Sequence, residues 1–156
     1  MYILIILGDE MNSNNENLLI SQLLTRDVIS VSENKTIYNA IKLLAQNNIG
    51  ALPVLNNSME LCGIISERDI IREMSKNIAV NFKKSFINSI MTSKVITIDK
   101  NKKSEDIMDI MSKNKIRHIP IVEKKILIGI VSIGDVVKRL LEKINLENKH
   151  LKSWLY

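Results

Sequence analysis

GIISERDIIREM at 63–74 and GIVSIGDVVKRL at 129–140 are one motif written twice, a glycine-led apolar run that ends in Ser-x-x-Asp and then turns helical. The likeness extends upstream. At an offset of 67, Ile20, Leu23, Thr25 and Val28 fall on Ile87, Ile90, Thr92 and Val95, and Ile29-Ser30-Val31 falls on Ile96-Thr97-Ile98. Asn47 likewise meets Asn114, and Leu52-Pro53-Val54-Leu55 meets Ile119-Pro120-Ile121-Val122. One residue is lost in the next turn, so the offset becomes 66 and Gly63, Ser66 and Asp69 meet Gly129, Ser132 and Asp135. Such self-similarity restricts the fold to two copies of one supersecondary unit packed on each other. The 156 residues suffice for one compact domain, or for two small halves sharing a core.

Each copy reads strand, helix, strand, strand, helix. In the first, Val28 to Val31 is a short apolar run, and Ile37, Ala40, Ile41, Leu44 and Ala45 keep the spacing of a helix with one buried face, with Thr36 as its N-cap. In the second, Ser104 is the expected cap, Glu105 and Asp106 occupy the first turn, where the helix dipole favours carboxylates, and Ile107, Ile110 and Met111 face inward. Aromatics make up only 4% of the chain, so the core must be built from Ile, Leu, Val and Met. Ala51 to Leu55 and Leu61 to Ile65 form a hairpin around the polar turn Asn56-Asn57-Ser58, and 119–122 and 126–131 repeat it around Glu123-Lys124-Lys125. Pro53 and Pro120 cannot donate a ladder hydrogen bond, which predicts that their strands lie at an edge or that the prolines lie at a strand end. An edge would leave backbone groups free for a ligand.

The remaining segments constrain less. The stretch 77–86 has no partner in the repeat and reads as a linker. Beyond Asp135 the last helix is expected to continue into the tail, where Val137, Leu141, Ile144, Leu151 and Leu155 recur at roughly helical spacing. The tail ends in Trp154 and Tyr156, which either pack on their own body or form a dimer or partner surface. The opening MYILIILG lacks a basic flank and runs into Asp9 and Glu10, so it predicts neither a spanning helix nor a signal peptide. It is instead an extra strand or an upstream start ahead of Met11. The single Cys62, inside an apolar run, reads as a small buried hydrophobe in a reducing compartment.

A net charge of +5 permits attraction to anions, but the lysines are scattered beside asparagines, as on a solvated surface. No basic aromatic stripe points to nucleic acid. With only His118 and His150, neither a metal-ligand cluster nor a nucleophile-base pair can be assembled, so no catalytic and no metal-binding residue is assigned.

The repeated Ser-x-x-Asp has two readings. As a capping box, Ser66 and Ser132 close the first turn while Asp69 and Asp135 favour the helix N-terminus, together worth roughly 1 kcal/mol. As a ligand wall, free N–H groups and a serine hydroxyl can meet phosphate, and a carboxylate, being acceptor-only, can take both hydroxyls of a ribose. Ser and Asp at this spacing suit a nucleoside.

The span from about Ile20 to Leu141 resembles a pair of CBS domains, often called a Bateman module, on the strength of GIISERD and GIVSIGD, the strands ALPVL and HIPIV, and the lead-ins LLTRDVISV and IMTSKVITI. Stand-alone CBS-pair proteins of bacteria and plant organelles are the nearest in look. The resemblance implies an α+β fold of two βαββα repeats packed as a pseudo-two-fold pair, with an extended C-terminal helix. The expected division is an N-terminal extension at 1–19, repeat one at 20–76, a linker at 77–86, repeat two at 87–142 and a helical tail at 143–156.

It further implies a regulatory module, not an enzyme, that binds adenine nucleotides in clefts between the repeats and signals to a partner protein. AMP is the foremost ligand, beside ADP, ATP and NAD(H), and no cofactor is required. Carried over residue by residue, Asp69 and Asp135 would hold ribose, with Ser66 and Ser132 beside ribose or phosphate. Ile49-Gly50-Ala51 before Pro53 and Ile116-Arg117-His118 before Pro120 would line the clefts, and Thr25 with Ile29 and Thr92 with Ile96 would face the adenine. The copies are unequal, since Arg117 offers a forked cationic contact where Gly50 offers only space, and Gly134 replaces Arg68. Arg68 and Arg72 have a competing reading as partners of Glu67 and Glu73 on an exposed helix face. A homodimer in the cytoplasm is expected, with no nucleic-acid or membrane partner. The competing function is a dimerisation and interaction scaffold whose clefts stay empty.

Overall fold

In a computed structural model, residues 28–76 and 79–153 are described; Thr25, the extension at 1–19, and Trp154 and Tyr156 lie outside them. The first copy runs β1 (Val31–Ser32), α1 (Ile37–Asn47), β2 (Ala51–Leu55), β3 (Leu61–Ser66) and α2 (Glu67–Lys76). The second runs from a 3-10 turn at Ile87–Ser89 to α3 (Ser104–Asn114), β4 (His118–Glu123), β5 (Ile126–Ser132) and the 21-residue α4 (Ile133–Ser153). This is the α+β repeat architecture with a long last helix that the sequence predicts.

β1 and β2 run parallel, while β2 and β3 form the expected antiparallel hairpin, as do β4 and β5. The first strand is shorter than the apolar run suggests, because pairing begins only where Val31 meets Val54. In the second copy it shrinks to one parallel bridge, Ile98 with Ile121. The hairpin turn holds because Asn56 Oδ1 accepts the N–H groups of Ser58 and Glu60, both at 2.9 Å.

The expectation for the prolines is corrected for Pro53, which lies inside β2, the central strand of its sheet, and holds for Pro120, which lies on β4 of a two-stranded sheet. Pro120 is tolerated because the flanking Ile98 asks only for its carbonyl, at 3.1 Å, and then accepts from the Val122 N–H at 2.9 Å. The missing proline donor lies before the first of those bonds, ahead of the point where pairing with Ile98 begins.

Thr36 caps α1 as expected, accepting from the Asn39 N–H while the Asn39 side chain takes the Thr36 N–H. Ser104 is not the cap of α3. Lys103 occupies that place without a side-chain bond, and Ser104 is the first helical residue and buried. The repeat explains this, since position 36 maps onto 103 at an offset of 67. Both helices end alike: Asn47 and Asn114 donate side-chain N–H to the carbonyls of Leu43 and Ile110 at 2.8 Å, and the next residues, Asn48 and Lys115, are left-handed.

Instead of one shared core there are two. Ile37, Ala40, Leu44, Leu52, Val54 and Ile65 pack in the first copy, and Ile98, Ile107, Met111, Ile119, Val131 and Val136 in the second. Ala45 is exposed, and Ile41 and Ile110 are half-buried at the margins. The copies nevertheless interlock. Ile87, at the head of the second repeat, is fully buried in the first core, with Ile90 and Met91 packed against it. The described part of the linker is structural as well: the carbonyls of Ser85 and Phe82 accept the N–H groups of Ile37 and Tyr38, two of the donors that the first turn of α1 leaves open.

Candidate functional site

The second repeat's lead-in lies along the outer edge of β3. Thr92 exchanges two backbone hydrogen bonds with Ile64, at 2.9 and 3.0 Å. This pairing carries Thr92 to Ile96 over to the first repeat's Ser66 and Asp69, so a motif and a lead-in from different copies share one space.

There α2 starts directly after β3, its first N–H, from Glu67, bonding the Gly50 carbonyl at 3.1 Å; α4 starts the same way, from Ile133 onto the Arg117 carbonyl at 2.9 Å. Asp69 reaches back so that its Oδ2 accepts both the Ser66 N–H, at 2.9 Å, and the Ser66 hydroxyl, at 2.7 Å. Asp135 does the same for Ser132 at 2.8 and 2.6 Å, and its own N–H returns a bond to the Ser132 hydroxyl at 3.3 Å. The serine protons are therefore committed to the carboxylates. Towards a ligand Ser66 and Ser132 present oxygen lone pairs, not donors.

A cleft of about 390 Å³ opens between the copies. From the first come Gly50, Ala51, Ser66, Arg68 and Asp69, and from the second Thr92, Ile96, Ile116, Arg117 and His118. Ile29, Ile49, Pro53, Pro120, Ser132 and Asp135 do not line it. Arg72 and Glu67, weighed from the sequence as members of ion pairs on an exposed helix face, also line it, as do Lys94, Val95, Asn114, Lys115 and Ile64, which were not singled out as site residues. Lys94 and Val95 sit between the two lead-in residues that were, so the signal for them was continuity along one strand. Nothing in the sequence joins Lys115 to that strand.

The arginines do not pair with Glu67 and Glu73. Arg72 Nη1 lies 3.3 Å from Asp69 Oδ1, and Arg68 Nη1 donates across the cleft to the Lys115 carbonyl at 3.3 Å. His118, whose direction the sequence leaves open, turns into the cleft, and a methyl group on Gly50 would come 3.1 Å from its Cε1. Burial pushes the His118 pKa down, and the neighbouring Arg117 lowers it further, against smaller upward pulls from Glu67 and Asp135. Among the described residues no cluster of His, Cys, Asp and Glu could hold a metal ion, and no helix is long and apolar enough to cross a membrane.

Known proteins are similar to this chain in sequence and fold. The CBS domain family model matches residues 20–76 and again 87–142. The chain is 37% identical over 124 residues to the mitochondrial CBS domain-containing protein CBSX3 of Arabidopsis thaliana, spanning 77% of this chain and 60%, less than two thirds, of that protein. Over 114 residues it is 32% identical to YhcV of Bacillus subtilis, across 72% of this chain and 79% of the relative. Among solved structures, a CBS-domain protein of Burkholderia ambifaria superposes with a TM-score of 0.74 at 32% identity, over 80% of this chain and 94% of that one. The CBS domain pair of protein MJ0100, solved in complex with 5'-methylthioadenosine and S-adenosyl-L-methionine, superposes with a TM-score of 0.73 at 30% identity, over 81% and 98%. With two family matches, this sequence identity and this fold, the chain belongs to the CBS-domain family as a pair of CBS domains.

Proposed function

We propose that this CBS pair is a regulatory sensor of adenine nucleotides, with AMP the first ligand to test and ADP, ATP and NAD(H) beside it. The observation that carries the reading is the single cleft that joins Ser66 and Asp69 of one repeat to Ile96, Arg117 and His118 of the other. Its volume suits a small ligand, since such sites commonly measure ~300–1,000 Å³. The acceptor position left on Asp69 Oδ1 accepts a ribose hydroxyl, the apolar lead-in packs on a base, and Arg117 meets phosphate. The nucleoside ligands of the MJ0100 pair support an adenosine-type molecule. A ligand seated between two repeats binds their relative positions, so it favours one packing only by its differential affinity, and a cytoplasmic partner protein reads the shift.

Thermal denaturation with each adenine compound tests this. Ligand at ~100 times its dissociation constant should stabilise the fold by roughly 2.7 kcal/mol. Asp69→Asn should remove that gain, and a gain that survives the change refutes the ribose assignment.

A second reading, a dimerisation scaffold, is favoured by α4. Ile133, Val137, Leu141 and Ile144 are 37%, 42%, 55% and 51% exposed, at the spacing of one helix face. A second copy of the chain fits that stripe, and a homodimer is compatible with both readings.

A further inference from the structure

We infer that the cleft selects its ligand by negative charge, taking adenine compounds in order of phosphate content and rejecting a sulfonium nucleoside; the identity of the base rests on the adenine reading above. Among the described residues, Arg68, Arg72, Lys94, Lys115 and Arg117 line the cleft, against two carboxylates, Glu67 and Asp69. Among the described residues, Arg72 alone of the five is in a salt bridge, with Asp69. The other four keep their charge for what enters.

Nothing the fold requires accounts for this set, because a structural requirement would recur in the other copy. By the repeat, Arg68 corresponds to Gly134, Lys94 to Asp27, Lys115 to Asn48 and Arg117 to Gly50, and only Arg72 meets another cation, Lys138. The serine, the aspartate and their capping bonds are duplicated, whereas four of the five cations are not. Ligand chemistry is the remaining cause for a charge confined to one site.

Their placement says where the anion sits. Arg68 reaches over to the Lys115 carbonyl, which gathers Arg68, Lys115 and the neighbouring Arg117 at the wall formed by the second repeat. Val95, Ile96 and Ile64 supply apolar surface for the base on the lead-in side, with Lys94 beside them. All five cations line one cleft of about 390 Å³, so a single ligand meets their combined field, which salt screens over ~8 Å. Forked guanidinium groups suit phosphate oxygens, and the same field opposes a sulfonium.

Isothermal titration of the full chain with adenosine, AMP, ADP, ATP, S-adenosylmethionine and inorganic tripolyphosphate tests the selection at low and high salt. Affinity should rise from adenosine to ATP by at least about tenfold at low salt and converge at high salt, with S-adenosylmethionine weakest. Arg117→Gln, at an exposed position, should weaken ATP several-fold and leave adenosine nearly unchanged; Lys94→Gln should do the same. Equal affinity for adenosine and ATP, or S-adenosylmethionine as tight as AMP, overturns the inference and spares the sensor reading. Tripolyphosphate binding that depends on Arg117, with no preference for adenine compounds, sustains the charge selection and overturns the adenine reading. Binding of none of the six sinks both.

Discussion

Gly63, the glycine that opens the repeated motif, lies under Met91: a methyl group on it would stand 3.0 Å from Met91 Cγ and 3.2 Å from Cε. The contact follows from the antiparallel Thr92–Ile64 bridge, which lays the second repeat's lead-in along β3 and puts Gly63 and Met91 on one face, diagonally across from each other. A glycine is needed here for space, since its backbone is not left-handed. The motif thus marks where one copy crosses onto the other.

Gly63→Ala should destabilise the fold by about 1–3 kcal/mol, the usual cost of overpacking. Met91 is a flexible side chain, and Met91→Ala in the same chain should recover part of the loss. Denaturant unfolding of the double-mutant cycle measures the coupling. Strict additivity of the two changes would show that the methyl group meets something other than Met91.

His118 carries a prediction for pH. Its pKa is lowered in the fold by burial and by Arg117, so between that value and the ordinary ~6.5 the unfolded chain binds the proton that the folded chain refuses. Stability should therefore fall as pH drops below about 6.5 and the His118 contribution should be complete above it. His118→Gln should flatten this part of the profile. Urea midpoints for both proteins between pH 5 and 8 decide it, and identical slopes would remove His118 from the account.

Lys115 is in conflict with itself. It is the left-handed C-cap of α3, at φ 55° and ψ 37°, a conformation that disfavours any side chain beyond glycine and asparagine. The matching cap in the first repeat is Asn48, at φ 51°. Lys115→Gly should raise stability by about 0.5–1 kcal/mol and at the same time weaken ATP binding by removing a cation from the cleft. A gain in both, read from urea midpoints and titration, would detach the lysine from the ligand.

How much of this was legible follows from what kind of signal each residue carries. Thr36, the Asn56 turn and the Ser-x-x-Asp pairs are local devices, complete within five residues, and a sequence displays them openly. The repeat added the element order, because two copies must fold alike. Ser104 misled because serine suits a cap, although the offset pointed to Lys103. The partnership of Asp69 with Thr92 and Ile96, and the bond from Arg68 to the Lys115 carbonyl, arise only when the copies cross. Periodicity within a copy holds no information about which lead-in will lie on which sheet. Pro53 in a central strand belongs here too, since its tolerance depends on where the neighbouring strand begins.

The exposed stripe on α4 leads to the last prediction. Ile133, Val137, Leu141 and Ile144 follow one another at four, four and three residues, while Val136, roughly a quarter turn round the helix, is fully buried. Four large apolar side chains in line on one helix form a contiguous patch, which marks an association surface more often than scattered exposure does. On α2 the exposed Ile71 holds the position that Val137 holds on α4, and Met74 lies one turn further, so both terminal helices of the repeats offer such a face. A homodimer that covers them should dissociate on Leu141→Lys with Ile144→Lys. Both positions are exposed, so the folded monomer should lose little, within about 0.5 kcal/mol per change. Sedimentation of the parent chain over a range of concentrations should show a dimer, and of the variant a monomer with the same circular dichroism. If the parent sediments as a monomer throughout, a second copy does not cover this stripe. If the variant instead unfolds, the stripe supports the chain's own packing.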